Sequence, residues 1–96
     1  METKENDDQL KMSPAFEEAA RIRFAKKDYG SIYDYFPYDD MSYMQMIHVK
    51  TKRLVNLADK ARMGMEPINE SVEDNIIDLI NYASYYWEFR KGVLEE

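Results

Sequence analysis

Apolar side chains recur with a helical period in three segments of this chain. The spacing predicts three helices at about 14–28, 41–62 and 70–91. Capping residues and helix-ending glycines mark the predicted boundaries, which are Ser13 with Pro14, Gly30, Asp39 or Asp40, Gly64, Asn69 or Ser71, and Gly92. The first two helices have apolar contacts predicted at Phe16, Ala19, Ala20, Ile22, Phe24 and Ala25, and at Tyr43, Met44, Ile47, Leu54, Leu57, Ala58 and Ala61.

The remaining segments carry no helical pattern. Residues 1–12 are polar, charged and aperiodic, which predicts a disordered or frayed tail. Residues 31–40 are rich in tyrosine, but Pro37 and the lack of a second strand to pair with favour a structured loop. We therefore expect a single all-α domain over residues 13–96, a bundle of three main helices completed by oligomerisation.

The third predicted helix carries two different faces. At about 100° per residue, Glu70, Asp74, Asp78 and Asn81 form one narrow polar row. An apolar stripe, predicted to face the core, lies on the far side and consists of Val72, Ile76, Leu79, Ile80, Ala83, Tyr86 and Trp87. Helical bundles build metal and nucleotide sites from such helices, although an ordinary solvated helix has the same arrangement.

Composition limits the classes of function. The chain has 96 residues and a formal net charge of −6, which argues against general DNA or RNA binding because phosphate backbones require a positive field. Eight tyrosines, four phenylalanines and one tryptophan are many for a core this small, and they favour a homo-oligomer. There is no cysteine and no apolar run long enough to cross a membrane, so we expect a cytoplasmic protein.

The acidic row permits two interpretations. Glu70, Asp74 and Asp78 could hold a magnesium ion, since hard divalent cations take oxygen ligands. Alternatively the row faces water, which periodicity alone favours. Like charges one turn apart destabilise a helix, and no lysine or arginine is interleaved, so the row requires a cation or a basic partner.

The second predicted helix offers that basic partner. Lys50 stands at the edge of the apolar stripe, where it can either reach solvent or extend toward the acidic row. Arg53 lies beside it around the helix, and its planar guanidinium suits a phosphate or a carboxylate. His48, the only histidine, has no paired ligand in the pattern and is interpreted as structural or incidental.

A third candidate element follows the first helix. Lys27, Asp28 and Tyr29 precede Gly30, whose freedom permits a tight turn with exposed amides. Tyr29 offers a ring on which a base could stack. A helix end explains the same lysines and glycine without any ligand.

Three blocks of this sequence together resemble the nucleotide-modification-associated domain family. They are Lys27-Asp28-Tyr29-Gly30-Ser31, Val49-Lys50-Thr51-Lys52-Arg53-Leu54-Val55-Asn56-Leu57, and the segment from Glu70 to Ala83. The resemblance covers about Arg23 to Tyr86. It implies a phage or prophage origin, a nucleotide ligand, and a distant similarity to MazG-like all-α nucleotide pyrophosphohydrolases, which are oligomeric and magnesium-dependent.

The chain departs from the MazG-like pattern on its second helix. Those enzymes surround the metal with acidic pairs from two helices, whereas this chain has Lys50, Lys52 and Arg53 where the first pair is expected. The departure favours nucleotide binding without hydrolysis, with Lys27, Asp28, Tyr29, Lys50, Arg53, Asp74, Asp78 and Asn81 as the predicted binding residues. The alternatives are a magnesium-dependent hydrolase and a non-catalytic interaction module.

Overall fold

The structure, a computed structural model, describes residues 12–26, 36, 38–65 and 71–93. Within these ranges it contains three helices, α1 (Pro14–Ala25), α2 (Asp40–Arg62) and α3 (Val72–Lys91), and no strand. The predicted all-α class and the three helices are confirmed. Residues 1–11, the candidates Lys27, Asp28 and Tyr29, and Glu70 lie outside the described residues.

Two of the predicted helix starts form as expected. The Ser13 hydroxyl accepts a hydrogen bond from the Phe16 backbone N–H at 3.2 Å, and the Ser71 hydroxyl accepts one from the Asp74 N–H at 2.9 Å. Each bond satisfies one of the donors that a helix leaves open at its first turn. Asp39 precedes α2 with a φ of 57°, and its side chain makes no capping hydrogen bond. Asp39 thus occupies the N-cap position of α2, but the predicted capping by its side chain is wrong.

The central element is α3. Both α1 and α2 pack against α3, and within the described residues they do not pack against each other. Because α3 has a neighbour on two sides, it must present two buried faces. Asn81 meets α1 and Asp78 meets α2, through hydrogen bonds to Ala19 and Lys50.

Aromatic rings form the core at the α2–α3 junction. Phe36 and Tyr43 are buried, and their rings stack with centroids 4.3 Å apart. Tyr43 also stacks on Tyr86 of α3 at 5.5 Å. Five partly buried side chains pack against this pair, namely Met46, Tyr82, Tyr85, Tyr86 and Phe89. Stacked and edge-on ring contacts of this kind stabilise the fold beyond what the burial of their apolar area contributes.

The predicted core face of α3 is confirmed for Tyr86, which packs in the aromatic core, and is wrong for Ile76, Ala83 and Trp87, which are exposed. Ile76 and Trp87 are 39% and 60% exposed, whereas Asn75 and Asn81 are buried. The aromatic rings determine the orientation, because turning Tyr82, Tyr86 and Phe89 inward turns the aliphatic stripe outward. Each buried amide has a partner for its nitrogen, since Asn75 donates to the Ser71 carbonyl and Asn81 donates to the Ala19 carbonyl, whereas the Asn75 Oδ1 atom is buried with no partner among the described residues.

Several predicted apolar contacts of the other helices are also wrong. Phe16, Phe24 and Met44 are 52%, 70% and 52% exposed, and Ala19 is the buried residue of α1. Only part of each apolar stripe is covered, because α1 and α2 each contact one neighbouring helix among the described elements. The single-domain organisation and the predicted oligomerisation stay predictions. No described helix is both long and apolar enough to cross a membrane.

Candidate functional site

An open groove of about 470 Å³ lies beside α2 and reaches α3. Aromatic rings come from the segment before α2 and from α3, and polar and basic side chains come from α2. The lining residues are Phe36, Tyr38, Ser42, Gln45, Met46, Val49, Lys50, Arg53 and Tyr82. Its volume is within the range of small-molecule sites, and the lining of this open groove is part polar and part apolar.

Lys50 is the central polar residue of the groove. It follows the buried Tyr43 by seven residues, or two turns, so the helix directs both side chains toward α3. Its ammonium nitrogen lies 3.0 Å from an Asp78 carboxylate oxygen and 5.8 Å from the centroid of the Tyr82 ring. Only 9% of Lys50 is exposed, so the carboxylate partner stabilises a charge that is largely removed from water.

The ammonium of Lys50 has remaining hydrogen-bonding capacity. A lysine ammonium carries three N–H donors. Within the part of the chain that the structure describes, Lys50 makes one hydrogen bond, to Asp78. Because Lys50 also lines the groove, its remaining donors can serve water or a ligand that enters there.

Arg53 extends the positive charge along the groove. It follows Lys50 by three residues and so lies on the neighbouring part of the α2 surface, where it is exposed. Asp78 neutralises much of the Lys50 charge, and Arg53 supplies a second cation to the same groove. Opposite these groups, Phe36, Tyr38 and Tyr82 offer ring surfaces.

The structure brings together some of the predicted site residues and separates others. Lys50, Arg53 and Asp78 lie at or beside the groove. Asp74 is exposed in the first turn of α3. Asn81 is buried on the α1 side of α3, where its amide donates to the Ala19 carbonyl at 3.0 Å. The ligand-binding roles assigned to these residues stay predictions.

The predicted magnesium site of Glu70, Asp74 and Asp78 stays a prediction, because Glu70 lies outside the described residues. No group of three or more histidine, aspartate or glutamate side chains converges among the described residues. Asp78 already has a lysine ammonium at 3.0 Å, and that positive charge would repel a dication at the same carboxylate. Asp74 lies one turn away and is exposed, and Glu70 lies outside the described ranges.

Sequence patterns missed the aromatic part of the groove. Phe36 and Tyr38 belong to the segment predicted as a structured loop, and both line the groove, where Tyr38 is 77% exposed and Phe36 is also part of the core. Tyr82 was not selected at all. It follows Asp78 by four residues, so a ring beside the acidic row was visible in the spacing.

A second ion-pair cluster lies on the α1 side of α3. Arg23 donates to both carboxylate oxygens of Glu88, one of them at 2.8 Å, and to the Ser84 hydroxyl at 3.3 Å. Its guanidinium also lies 4.3 Å from the centroid of the Tyr85 ring. Burial raises the pKa of the Tyr85 hydroxyl, and the Arg23 charge opposes that rise. The helical pattern gave no indication of this cluster.

Comparison with known proteins identifies the family. No curated protein and no solved structure matches the chain. The family described as nucleotide modification associated domain 1 matches over residues 25–85. That range runs from the end of α1 to Tyr85 and includes Lys50, Arg53 and Asp78. The match covers more than half of the chain and indicates a nucleotide-related role. The chain belongs to the nucleotide modification associated domain 1 family.

Proposed function

We propose that this protein binds a nucleotide in the groove between α2 and α3 and holds it without turnover. The observation that carries the proposal is the Lys50 ammonium, which is buried beside Asp78 and adjacent to Arg53 in a groove with aromatic walls. Family membership supports a nucleotide as the kind of ligand.

We assign different side chains of the groove to different parts of the nucleotide. Lys50 and Arg53 contact the phosphate, since an ammonium and a guanidinium both form charge-assisted hydrogen bonds to phosphate oxygens. An exposed ring such as Tyr38 stacks on the base, with Tyr29 as a second candidate. Asp78 orients Lys50, and Asp74 accepts a hydrogen bond from the base or ribose.

Binding without turnover suits two biological settings. In a phage or prophage, the protein would sequester a nucleotide signal made by host defence, or it would serve modified-nucleotide metabolism. Either setting requires affinity, and sequestration needs no chemistry. We propose that the protein acts in the host cytoplasm as a homo-oligomer.

The two alternative functions require different arrangements of the same residues. A magnesium-dependent pyrophosphohydrolase needs a cluster of carboxylates, which the described residues do not supply. A non-catalytic interaction module needs only that Lys50 and Asp78 stabilise the packing of α2 on α3. A ligand screen separates these alternatives.

The test is a thermal-shift screen of nucleoside mono-, di- and triphosphates and cyclic nucleotides, with and without magnesium. A ligand present at a hundred times its Kd stabilises the native state by about 2.7 kcal/mol, which is a shift of several degrees in Tm. We expect stabilisation that does not need magnesium, with the nucleotide recovered intact by chromatography. Phosphate release that requires magnesium would establish the hydrolase instead.

Charge-removing variants locate the site. Lys50→Met and Arg53→Gln should each weaken nucleotide binding by about tenfold, the usual scale for a charge-assisted contact. Lys52→Gln is the matched control, because Lys52 is exposed on α2 and does not line the groove. Its affinity should stay within twofold of the wild type. A chain that no nucleotide stabilises would overturn the proposal in favour of the interaction module.

A further inference from the structure

The apolar stripe of α3 faces away from both neighbouring helices. This outward stripe consists of Val72, Ile76, Leu79, Ile80, Ala83 and Trp87. Ile76 and Trp87 are 39% and 60% exposed, Ala83 is exposed, and the other three are half-buried. At about 100° per residue the six positions fall within an arc of about 100°, and at about 1.5 Å per residue they extend over about 22 Å.

The two packed helices leave this stripe partly uncovered, with Ile76, Ala83 and Trp87 exposed. α1 meets α3 at Asn81, Ser84 and Glu88, and α2 meets it at Asp78 and Tyr86. Both sets of positions lie on other parts of the α3 circumference. An apolar face of this length is a common mark of a protein–protein interface.

We propose that a second copy of this chain covers the outward stripe, with the two α3 helices packed antiparallel about a twofold axis. The distribution of charge on α3 carries this choice of partner. The first turn of α3 is acidic, with Glu73 and Asp74, and its last turn is basic, with Arg90 and Lys91. An antiparallel pair places each acidic end beside the basic end of the other copy.

The register of these charges matches a twofold pair. Glu73 and Lys91 are eighteen residues apart, which is five turns of a helix at about 3.6 residues per turn. They therefore lie on the same edge of the outward stripe, at opposite ends, and both are exposed. An antiparallel twofold axis brings equivalent edges together, so Glu73 of one copy meets Lys91 of the other, twice per dimer. A parallel pair would instead place the two Glu73 side chains at the same level on opposite edges of the interface, with Lys91 near neither of them.

The side chains along the stripe suit the same arrangement. The axis lies near Ala83, whose small side chain permits the two helices to approach closely. In this register Ile76 of one copy lies near Trp87 of the other, and both exposed side chains become buried. The inference specifies the interface of the homo-oligomer proposed above and does not depend on nucleotide binding.

The first test measures mass by sedimentation at several protein concentrations. The chain has a mass of 11.5 kDa, and we expect twice that value at micromolar concentration and above. Ala83→Glu should yield monomers with unchanged helical circular dichroism, because the new carboxylate points to solvent in the single chain. Ala61→Glu, at an exposed position on α2, is the matched control and should remain dimeric.

The second test exchanges charges between the two ends of α3. Glu73→Lys and Lys91→Glu should each weaken the dimer by about fivefold, since each creates two like-charge contacts. The double variant should recover wild-type affinity, because the pairs are restored with reversed sign. A parallel dimer would show no such recovery.

Fluorescence of Trp87, the only tryptophan of the chain, gives a third measurement of dimer formation. Trp87 emission should shift to shorter wavelength as the dimer forms on concentration. A chain that is monomeric at every concentration would overturn the proposal. That outcome would include a monomer in which residues 1–11 shield Trp87. A dimer that is unaffected by Ala83→Glu, or a double variant that does not recover, would also overturn it.

Discussion

Among the ion pairs that join α3 to its neighbours, the two less exposed ones differ in how completely their hydrogen bonds are satisfied. On the α1 side, Arg23 bonds both oxygens of Glu88 and the Ser84 hydroxyl, and it also lies over a tyrosine ring. On the α2 side, Lys50 makes one hydrogen bond, to Asp78, among the described residues. The Lys50 side chain is nevertheless the less exposed of the two cations, at 11% against 28%.

The difference teaches that burial alone does not distinguish a structural pair from a binding group. A planar guanidinium held at both carboxylate oxygens fixes the position of α1 on α3. An ammonium that is more buried but less bonded, and that lines a groove, keeps donors for a ligand. The Arg23–Glu88 pair thus has the contacts of a structural pair, and the contacts of the Lys50–Asp78 pair are those on which we base the binding proposal.

Arg23→Met should have the largest effect on stability. It leaves the Glu88 carboxylate, 24% exposed, without its guanidinium partner. Loss of one partner of a fully buried pair costs about 3–5 kcal/mol, and partial exposure reduces the expected loss to about 2 kcal/mol. Urea unfolding followed by circular dichroism measures it. Arg21→Met is the matched control, because Arg21 pairs with Glu18 on the exposed surface, and its unfolding midpoint should stay unchanged.

Lys50→Met should lower stability less than Arg23→Met. Methionine keeps the apolar stem of the side chain packed between α2 and α3, and Asp78, 26% exposed, remains in contact with water. We expect a loss of about 1 kcal/mol in the same urea experiment. The comparison between the two pairs would be wrong if Lys50→Met destabilised the chain as much as Arg23→Met does.

Asp78→Asn distinguishes nucleotide binding from hydrolysis by the direction of its effect. Asparagine keeps an oxygen that accepts from Lys50 but removes a negative charge from the groove. The affinity for a phosphate-bearing ligand should therefore rise about threefold, measured by titration calorimetry. A magnesium-dependent hydrolase would instead lose activity, because a carboxylate ligand has been removed. Asp59→Asn, at an exposed position of α2 that does not line the groove, is the matched control and should leave the affinity within twofold of the wild type.

Periodicity and capping chemistry were sufficient to predict the three helices and most of their ends. Ser13, Ser71, Gly64 and Gly92 act locally, within one turn of the backbone, so their effects are encoded in neighbouring residues. The direction in which α3 faces was not predictable in the same way. It depends on how rings from distant positions pack together, such as Tyr43 of α2 on Tyr86 of α3.

The candidate site was predictable in its charges but not in its shape. The distance of Lys50 from the acidic row, and the apolar edge on which it stands, were enough to suggest a contact, and the structure shows it with Asp78. The aromatic walls come from Tyr82 and a loop, and no period relates them to α2. Arg23 and Glu88 lie 65 residues apart and belong to no common motif, so only the packing of α1 on α3 brings them together.

The smallest predicted effect concerns pH and the α1-side cluster. Burial raises the pKa of Tyr85 above its usual value of 10.0, so the native state favours the neutral ring. The stability that follows is fully present below pH 10 and is lost as pH rises through the raised pKa, because the native chain then holds a proton that the unfolded chain has released. Tyr85→Phe should therefore flatten the fall in unfolding free energy above pH 10.

Urea unfolding at several pH values between 8 and 11 measures that slope, with Tyr38→Phe as the control on an exposed ring. Tyr86, whose pKa burial also raises, should supply part of the slope that remains in Tyr85→Phe. Equal slopes in Tyr85→Phe and the wild type would show that the ring is not part of the cluster. Arg23→Met should make the slope steeper, because the cation that opposes the rise in the Tyr85 pKa is gone. The titration of Tyr85 then reports whether the Arg23 guanidinium lies beside that ring. This ring contact is one of the features that distinguish the Arg23–Glu88 pair from the Lys50–Asp78 pair.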